Sequence, residues 1–337
     1  MQIVVTGGLG FIGSHTVVEL QNVGYEVIVI DNLSNSSIDV LDGIERITGK
    51  QPIFEKIDLR DKAAVQAFFA KYTEVTGVIH FAASKAVGES VKNPLLYYEN
   101  NIASLVYLLQ ELQKKPEAHF IFSSSCTVYG QAEMMPIAET TPIQAAMSPY
   151  GNTKQIGEEI IADVTKVSGL NAILLRYFNP IGAHPSTEIG ELPIGVPQNL
   201  VPFITQTGMG LRKELSVYGN DYPTVDGTCV RDYIHVVDLA KAHVVALQRL
   251  LDKKNETALE VFNLGTGKGS SVLEVITAFE KVSGQKLPYT IVPRREGDVT
   301  EAYANTEKAN TVLGWKTAAT LEEAIDSAWK WEQKIRR

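Results

Sequence analysis

Over roughly the first 180 residues, short β-branched and aromatic runs alternate with stretches whose apolar positions recur every three or four residues. The runs are Ile3–Thr6, Val27–Asp31, Ile53–Ile57, Val78–Phe81, His119–Ser123 and Ala172–Tyr177. They read as the strands of a sheet covered on both faces. Between them, Ser14–Val23 follows a helical period, and Asn100–Gln113 carries Ile102, Leu105, Val106, Leu109 and Leu112 at helical spacing. Strand and helix in this rhythm predict an α/β fold, a doubly wound and mostly parallel sheet with helices on both faces.

After Asn179 the texture changes. Gly, Pro and polar residues crowd 180–197 and 219–227, which predicts a smaller, loop-rich C-terminal lobe. Two capping boxes open later helices: Ser271 with Glu274, in a helix ending near Gly284, and Thr320 with Glu323, in a helix running to the C-terminus. No internal repeat or flexible linker separates the two parts, so the cleft between them is the expected site.

Composition narrows the function classes. The 337 residues are 45% hydrophobic, enough for a large core, and the net charge of -8 argues against nucleic acid or an anionic membrane as the main partner. With no leader-like segment before Ile3 and no apolar window of about 18 residues, the expected location is the cytoplasm. The two cysteines, Cys126 and Cys229, are too few for a disulfide framework, and the six histidines form no zinc-type pair, so no metal is expected.

The chemistry concentrates at two places. Gly7, Gly10 and Gly13 follow the first strand and open a helix, the context in which a backbone approaches a pyrophosphate at a helix N-terminus. Asp31 ends the second strand, where a carboxylate accepts from the adenosine ribose and repels a 2′-phosphate, favouring NAD over NADP. The alternative for Asp31 is an Asx-turn with Asn32. Asp58 and Leu59 are placed to meet the adenine, the small residues of Phe81-Ala82-Ala83 to let a cofactor lie on the backbone, and Lys85 to reach pyrophosphate or ribose.

Tyr150 is the one tyrosine of 13 with a lysine four residues on, Lys154, and it lies downstream of the serines 123–125. Residues four apart share a helix face with a rise of about 6 Å. Bringing a phenol from a pKa near 10 to neutrality takes about 4 kcal/mol. One cation at about 4 Å in an effective dielectric of about 20 supplies roughly that much. The pair therefore predicts a general acid/base.

Together these features resemble the extended short-chain dehydrogenase/reductase family over essentially the full chain. More narrowly, the segments 7–13, 31–36, 80–83, 87–90, 123–130, 176–180, 230–235 and 295–298 resemble the UDP-glucose 4-epimerase family. That resemblance implies a Rossmann-type domain over 1–178, with 234–264 returning to it, and a nucleotide-sugar lobe over 179–233 and 265–337. It implies a tightly held NAD that takes a hydride from sugar C4 and returns it to the other face after a 4-keto intermediate rotates, a role in galactose metabolism, and a homodimer through paired helices.

By resemblance, Tyr150 is the general base and acid, Ser125 bonds the same sugar oxygen, and Lys154 tunes Tyr150 and binds the nicotinamide ribose. The cofactor set adds Phe11, Ile12, Asn32, Asn35, Ser36, Asn100 and Phe178 to the residues above. UDP-sugar falls to Lys85, Ser125, Tyr150, Asn179, Asn199, Leu200, Ser216, Val217, Tyr218, Arg231, Arg295 and Asp298. Two arginines suit a diphosphate, and Tyr218 suits uracil. Arg231 has the alternative of pairing with Asp232. Cys126 stands where the family has a small residue, and an inert buried thiol is expected there.

Ala302, four residues after Asp298, falls where a bulky side chain would exclude a 2-acetamido group. Its size implies that UDP-N-acetylglucosamine and UDP-N-acetylgalactosamine are also accepted. The alternative is a surface-facing alanine. Nucleotide-sugar dehydratases and uronate-processing enzymes share the fold, but dehydratases place acidic residues just after the catalytic Ser/Thr, where this chain has Cys126 and Thr127. A non-catalytic NAD-binding protein is the alternative from another class.

Overall fold

The computed structural model describes residues 1–115, 117–295 and 297–337. Its first half is the expected alternation: β1 (Gln2–Thr6), α1 (Phe11–Asn22), β2 (Glu26–Asp31), α2 (Val40–Thr48), β3 (Ile53–Lys56), α3 (Lys62–Lys71) and β4 (Val75–His80). Two short helices, α4 (Val87–Lys92) and α5 (Pro94–Tyr98), precede α6 (Ser104–Leu112), β5 (His119–Ser125), α7 (Pro149–Val167) and β6 (Asn171–Tyr177). The expected helix from Asn100 begins as a wider π turn over Glu99–Ala103 before α6.

The second half contains β7 (Asn179–Ile181), α8 (Leu200–Gly208), β8 (Leu215–Tyr218), β9 (Val230–Arg231), β10 (Tyr233–His235), α9 (Val236–Leu251) and β11 (Leu259–Leu264). It closes with β12 (Ser270–Ser271), α10 (Val272–Ser283), β13 (Tyr289–Val292), β14 (Glu301–Ala302) and α11 (Leu321–Ile335). Both expected capping boxes form, and Gly284 ends α10 in the left-handed conformation at φ +69°.

Seven strands form one parallel sheet in the order β11-β6-β5-β4-β1-β2-β3. The order reverses at β1, whose two neighbours are β2 and β4. In such sheets ligands bind outside the carboxyl ends of the strands at the point where the order reverses.

Alternation along each strand builds the two cores. Ile3, Val5, Val27, Val29, Ile79, Ile121, Ile173 and Leu175 face α1 and α9, whereas Val4, Ile28, Ile30, Val78, Phe120, Phe122 and Leu174 face α3, α6 and α7. Most are fully buried, and each such side chain contributes about 1.5–3 kcal/mol relative to exposure. A third core gathers Ile181, Val201, Ile204, Leu215, Val217, Phe279, Ile325 and Trp329 between α8, α10 and α11 and the short strands beside them. The segment after β10 rejoins the large sheet, because α9 packs on α1 and β11 pairs with β6.

Candidate active site

The glycine turn is built for close approach. Gly7 has φ +64°, and a Cβ there would lie 2.8 Å from the Ala82 amide nitrogen. A Cβ on Gly13 would overlap the Gly7 carbonyl oxygen. α1 begins at Phe11 with Gly10 as its N-cap and no side chain on its first amides, which leaves a helix N-terminus open to an anion. Ile12 lies half-buried beneath the turn, against the α1 core.

Asp31 takes part in an Asx-type turn and also ties down the glycine turn. One carboxylate oxygen accepts from the Leu9 amide at 3.1 Å, tying the glycine turn to β2; the other accepts from the Leu33 amide at 2.9 Å, an Asx-type turn, and from the Ser36 hydroxyl at 2.8 Å. Asn32 donates to Asp58 at 3.4 Å, and Asn35 is exposed beside them. The Asp58 carboxylate is held by Arg60 at 2.7 Å, which brings it down to about 2, while Leu59 is buried.

After β4, Phe81, Ala82 and Ala83 are half-buried, and Ala82 donates its amide to Thr6. Asn100 donates to the Ser84 hydroxyl at 3.1 Å. Its neighbour Asn101, which the motif reading missed, is buried and bonds Ser84 through both backbone groups and Thr153 through its hydroxyl. Lys85 reaches Glu191 at 3.7 Å, and the same carboxylate accepts from Asn199 at 2.8 Å. Glu191 thus joins the loop after β4 to the start of α8.

At the carboxyl end of β5 the three serines are buried and each has a different partner. Ser123 bonds the Tyr177 hydroxyl, Ser124 donates to Glu158 at 2.5 Å, and Ser125 accepts from the Thr127 amide at 3.3 Å. α7 starts beside them, with Ser148 capping it and Pro149 at its first turn. That start brings Tyr150 to Ser125. Burial pushes the Tyr150 phenol up to about 12, with the Ser125 hydroxyl acting in the opposite direction.

Lys154 shares the Tyr150 face but does not bond the phenol. Its ammonium donates to the Ser123 carbonyl at 2.6 Å and lies 5.9 Å from the Tyr150 ring centre and 4.8 Å from that of Phe122. The buried strand-end carbonyl needs a donor, and that requirement places the lysine under the ring. Burial lowers Lys154 to about 8, and Glu158, one turn further on, raises it. Glu158 also takes a two-point bond from Arg176 at 2.9 and 2.5 Å, and Arg176 reaches Tyr129, which donates to Asn263 on β11. The spacing from Lys154 to Glu158 was a local signal for this network; Arg176 stood out only as part of the 176–180 segment, and Asn263 had no signal.

The second lobe supplies the other wall. Arg231 does not pair with Asp232: it donates to Asp298 at 2.9 Å, while Asp232, wholly buried, accepts from the amides of Thr266, Gly267 and Ala304. The Arg295 guanidinium lies 4.5 Å from the centre of the Tyr218 ring. Glu296 of the same motif lies outside the described residues. Ser216 and Tyr218 are exposed on β8, but the Val217 side chain belongs to the third core, leaving its backbone for a ligand. Asn199 caps α8 and Leu200 is its first residue.

Phe178 is buried with Val128, Tyr129, Ile137 and Ala304, and Asn179 donates its amide to Asp232. Ala302 is not a surface alanine: it is half-buried against that same cluster, as is Cys126. The Cys126 thiol is therefore half-buried rather than sealed, and burial pushes it up to about 11, which keeps it un-ionised. Among the described residues no group of side chains could hold a metal, and no helix is long and apolar enough to cross a membrane.

A nucleotide-binding turn, a tyrosine-lysine pair on α7 beside the serine that ends β5, and a second lobe that brings Arg231 and Arg295 define an extended short-chain dehydrogenase/reductase. Residues 4–328 match the family model described as GDP-mannose 4,6 dehydratase. A UDP-glucose 4-epimerase of Bacillus subtilis is 51% identical over 98% of this chain and 97% of its own. Two solved UDP-glucose 4-epimerases share the fold. That of Stenotrophomonas maltophila, with NAD and a formylated UDP-arabinopyranose, has a TM-score of 0.96 at 47% identity, covering 100% of this chain and 99% of its own. That of Bifidobacterium longum, with NAD+ and UDP, has a TM-score of 0.94 at 47% identity and the same coverage. The chain belongs to the UDP-glucose 4-epimerases.

Proposed function

We propose that the chain interconverts UDP-glucose and UDP-galactose at C4, with NAD held as a resident cofactor, and serves galactose metabolism. The observation that carries this reading is the juxtaposition of Tyr150, in the first turn of α7, with Ser125, at the carboxyl end of β5, on the same side of the sheet as the Gly7–Gly13 turn. A turn that a single methyl would fill, and a helix N-terminus with no side-chain cap, fit a dinucleotide pyrophosphate. In this reading Gly7, Gly10, Phe11, Ile12 and Gly13 cradle the pyrophosphate, and Asp31, Asn32, Asn35 and Ser36 line the adenosine ribose. Asp58 and Leu59 meet the adenine, and Phe81–Ala83, Lys85, Asn100, Tyr150, Lys154 and Phe178 line the rest.

NAD, when bound, would supply a reversible hydride acceptor. Tyr150 removes the O4 proton as the C4 hydride departs and gives a proton back once the keto sugar has presented its other face. Ser125 holds the same oxygen. Lys154 adds its charge beneath the Tyr150 ring and keeps the end of β5 in place through Ser123. Arg231 and Arg295 neutralise the diphosphate, Tyr218 carries the uracil and Asp298 accepts from the ribose.

Residues 1–178 with 234–264 form the NAD domain in this reading, and 179–233 with 265–337 the UDP-sugar lobe. The small Ala302 beside Phe178 leaves room for a 2-acetamido group, so N-acetylated UDP-hexoses are substrates too. Half-buried apolar residues recur one turn apart on the neighbouring outer helices, Ile102 and Val106 on one and Ile156, Ile160 and Val164 on the other. They support a homodimer through a four-helix bundle. Two cysteines without a disulfide suit the cytoplasm.

The test is to incubate the purified protein, with no NAD added, with UDP-galactose and separately with UDP-N-acetylgalactosamine, and resolve the C4 epimers. Conversion of both is expected. Conversion of UDP-galactose alone would remove the broad specificity, and conversion of neither, even with NAD added, would overturn the reading.

A further inference from the structure

Alternation along β5 places Ser124 on the face of Phe120 and Phe122, which packs against α6 and α7. On the adjacent strand its register partner, Arg176, continues the face of Ala172 and Leu174. An apolar face thus ends in a buried serine and a buried arginine side by side, and one carboxylate from α7 takes both. Glu158 accepts from the Ser124 hydroxyl at 2.5 Å and from Arg176 at 2.9 and 2.5 Å.

Stability does not require this set. Taking an ion pair out of water costs several kcal/mol, and well-packed apolar residues of similar volume are often as stable or more so. What the set provides is position. Ser124 lies between Ser123, whose carbonyl holds Lys154, and Ser125, which meets Tyr150. α7 lies close on β5 at Gly157, where a Cβ would come 2.9 Å from the Phe122 ring. Apolar contact of that kind is non-directional, whereas a hydrogen bond weakens steeply away from its distance and angle. The carboxylate therefore pins α7 to two paired strand ends at once.

Resting on the epimerase reading above, we propose that Ser124 is a positioning residue: through Glu158 it fixes where α7 stands against the end of β5, and with it the reach of Tyr150 to Ser125. Its own hydroxyl is bonded to Glu158, so it acts only through its neighbours. The ionisable groups facing Tyr150 are Tyr97 on α5, Cys126 after β5, Tyr177 on β6 and Lys154 on its own helix. The Ser125 hydroxyl favours the phenolate, so a Tyr150 drawn away from it needs a higher pH to act as base.

The experiment compares Ser124→Ala and Ser124→Thr with the parent protein, reading kcat and KM for UDP-galactose across pH, Kd for UDP and Tm. Alanine leaves the Glu158–Arg176 pair in place. It is expected to lower kcat roughly ten- to a hundredfold at pH 7, the effect of a small misplacement, with KM and UDP affinity parent-like and the loss shrinking as pH rises. Threonine keeps the hydroxyl and restores kcat. A parent-like kcat in the alanine variant, a loss of the same size at every pH, an equal loss of UDP affinity, or a threonine variant as impaired as alanine would each overturn the assignment. A parent protein that converts no UDP-galactose overturns the epimerase reading and this assignment with it.

Discussion

Lys154 donates to the carbonyl oxygen of Ser123 at 2.6 Å, so a charge 5.9 Å from the Tyr150 ring centre is anchored to the strand that carries Ser125. The lysine sits under the ring rather than at the phenol oxygen. It keeps the end of β5 and the first turns of α7 in register, and its charge reaches Tyr150 across the ring face.

Tyr150→Phe removes the hydroxyl and leaves the ring that packs at 6.5 Å from Tyr97. Turnover should fall by about 10²–10⁴-fold, the usual worth of a positioned acid/base, while UDP still binds. Parallel kinetics and calorimetric titration with UDP check this; a non-catalytic NAD-binding protein would show no change in either.

The buried Glu158–Arg176 pair, each side chain 7% exposed, predicts a stability effect. Glu158→Gln leaves the guanidinium without its counter-charge, which costs about 3–5 kcal/mol and should lower Tm by roughly 10 °C. Replacing both partners with apolar residues should recover much of the loss. Thermal unfolding of the single and double variants decides it.

Burial pushes His15 and His80 down to about 3 and His243 to about 4. A histidine whose folded pKa lies below its unfolded value of about 6.5 binds its proton more readily when unfolded. The stability it supports is complete above pH 6.5 and is lost as pH falls towards 3 or 4. At pH 5.5 each has lost roughly 1.4 kcal/mol, so the three together remove about 4 kcal/mol. Urea midpoints at pH 7.5 and 5.5 should differ accordingly, and equal midpoints would contradict it.

Ala302→Tyr puts an aromatic ring where a small side chain packs against the cluster that holds Phe178. Conversion of UDP-N-acetylgalactosamine should be lost while that of UDP-galactose persists. Unchanged activity on the N-acetylated substrate would end the idea that this position gates substrate size.

Gly13→Ala should expel the cofactor, because the new methyl has no room beside the Gly7 carbonyl. The variant is expected to purify with far less NAD than the parent, measured after denaturation. Parent-like NAD content would place the pyrophosphate elsewhere.

What the chain determined by itself was whatever is carried by neighbours in sequence. Strand and helix periods, the glycine turn, both capping boxes and the four-residue step from Tyr150 to Lys154 are local, because backbone conformation within a few residues sets them. What tertiary structure decided is which group each side chain meets. Tyr129 and Asn263 stand 134 residues apart, and Arg231 and Asp298 stand 67 apart, so no local pattern announced either bond. Lys154 turned to Ser123, and Arg231 turned away from Asp232, for one physical reason. A buried polar group takes the partner that packing brings within about 3 Å, and packing is a property of the whole sheet.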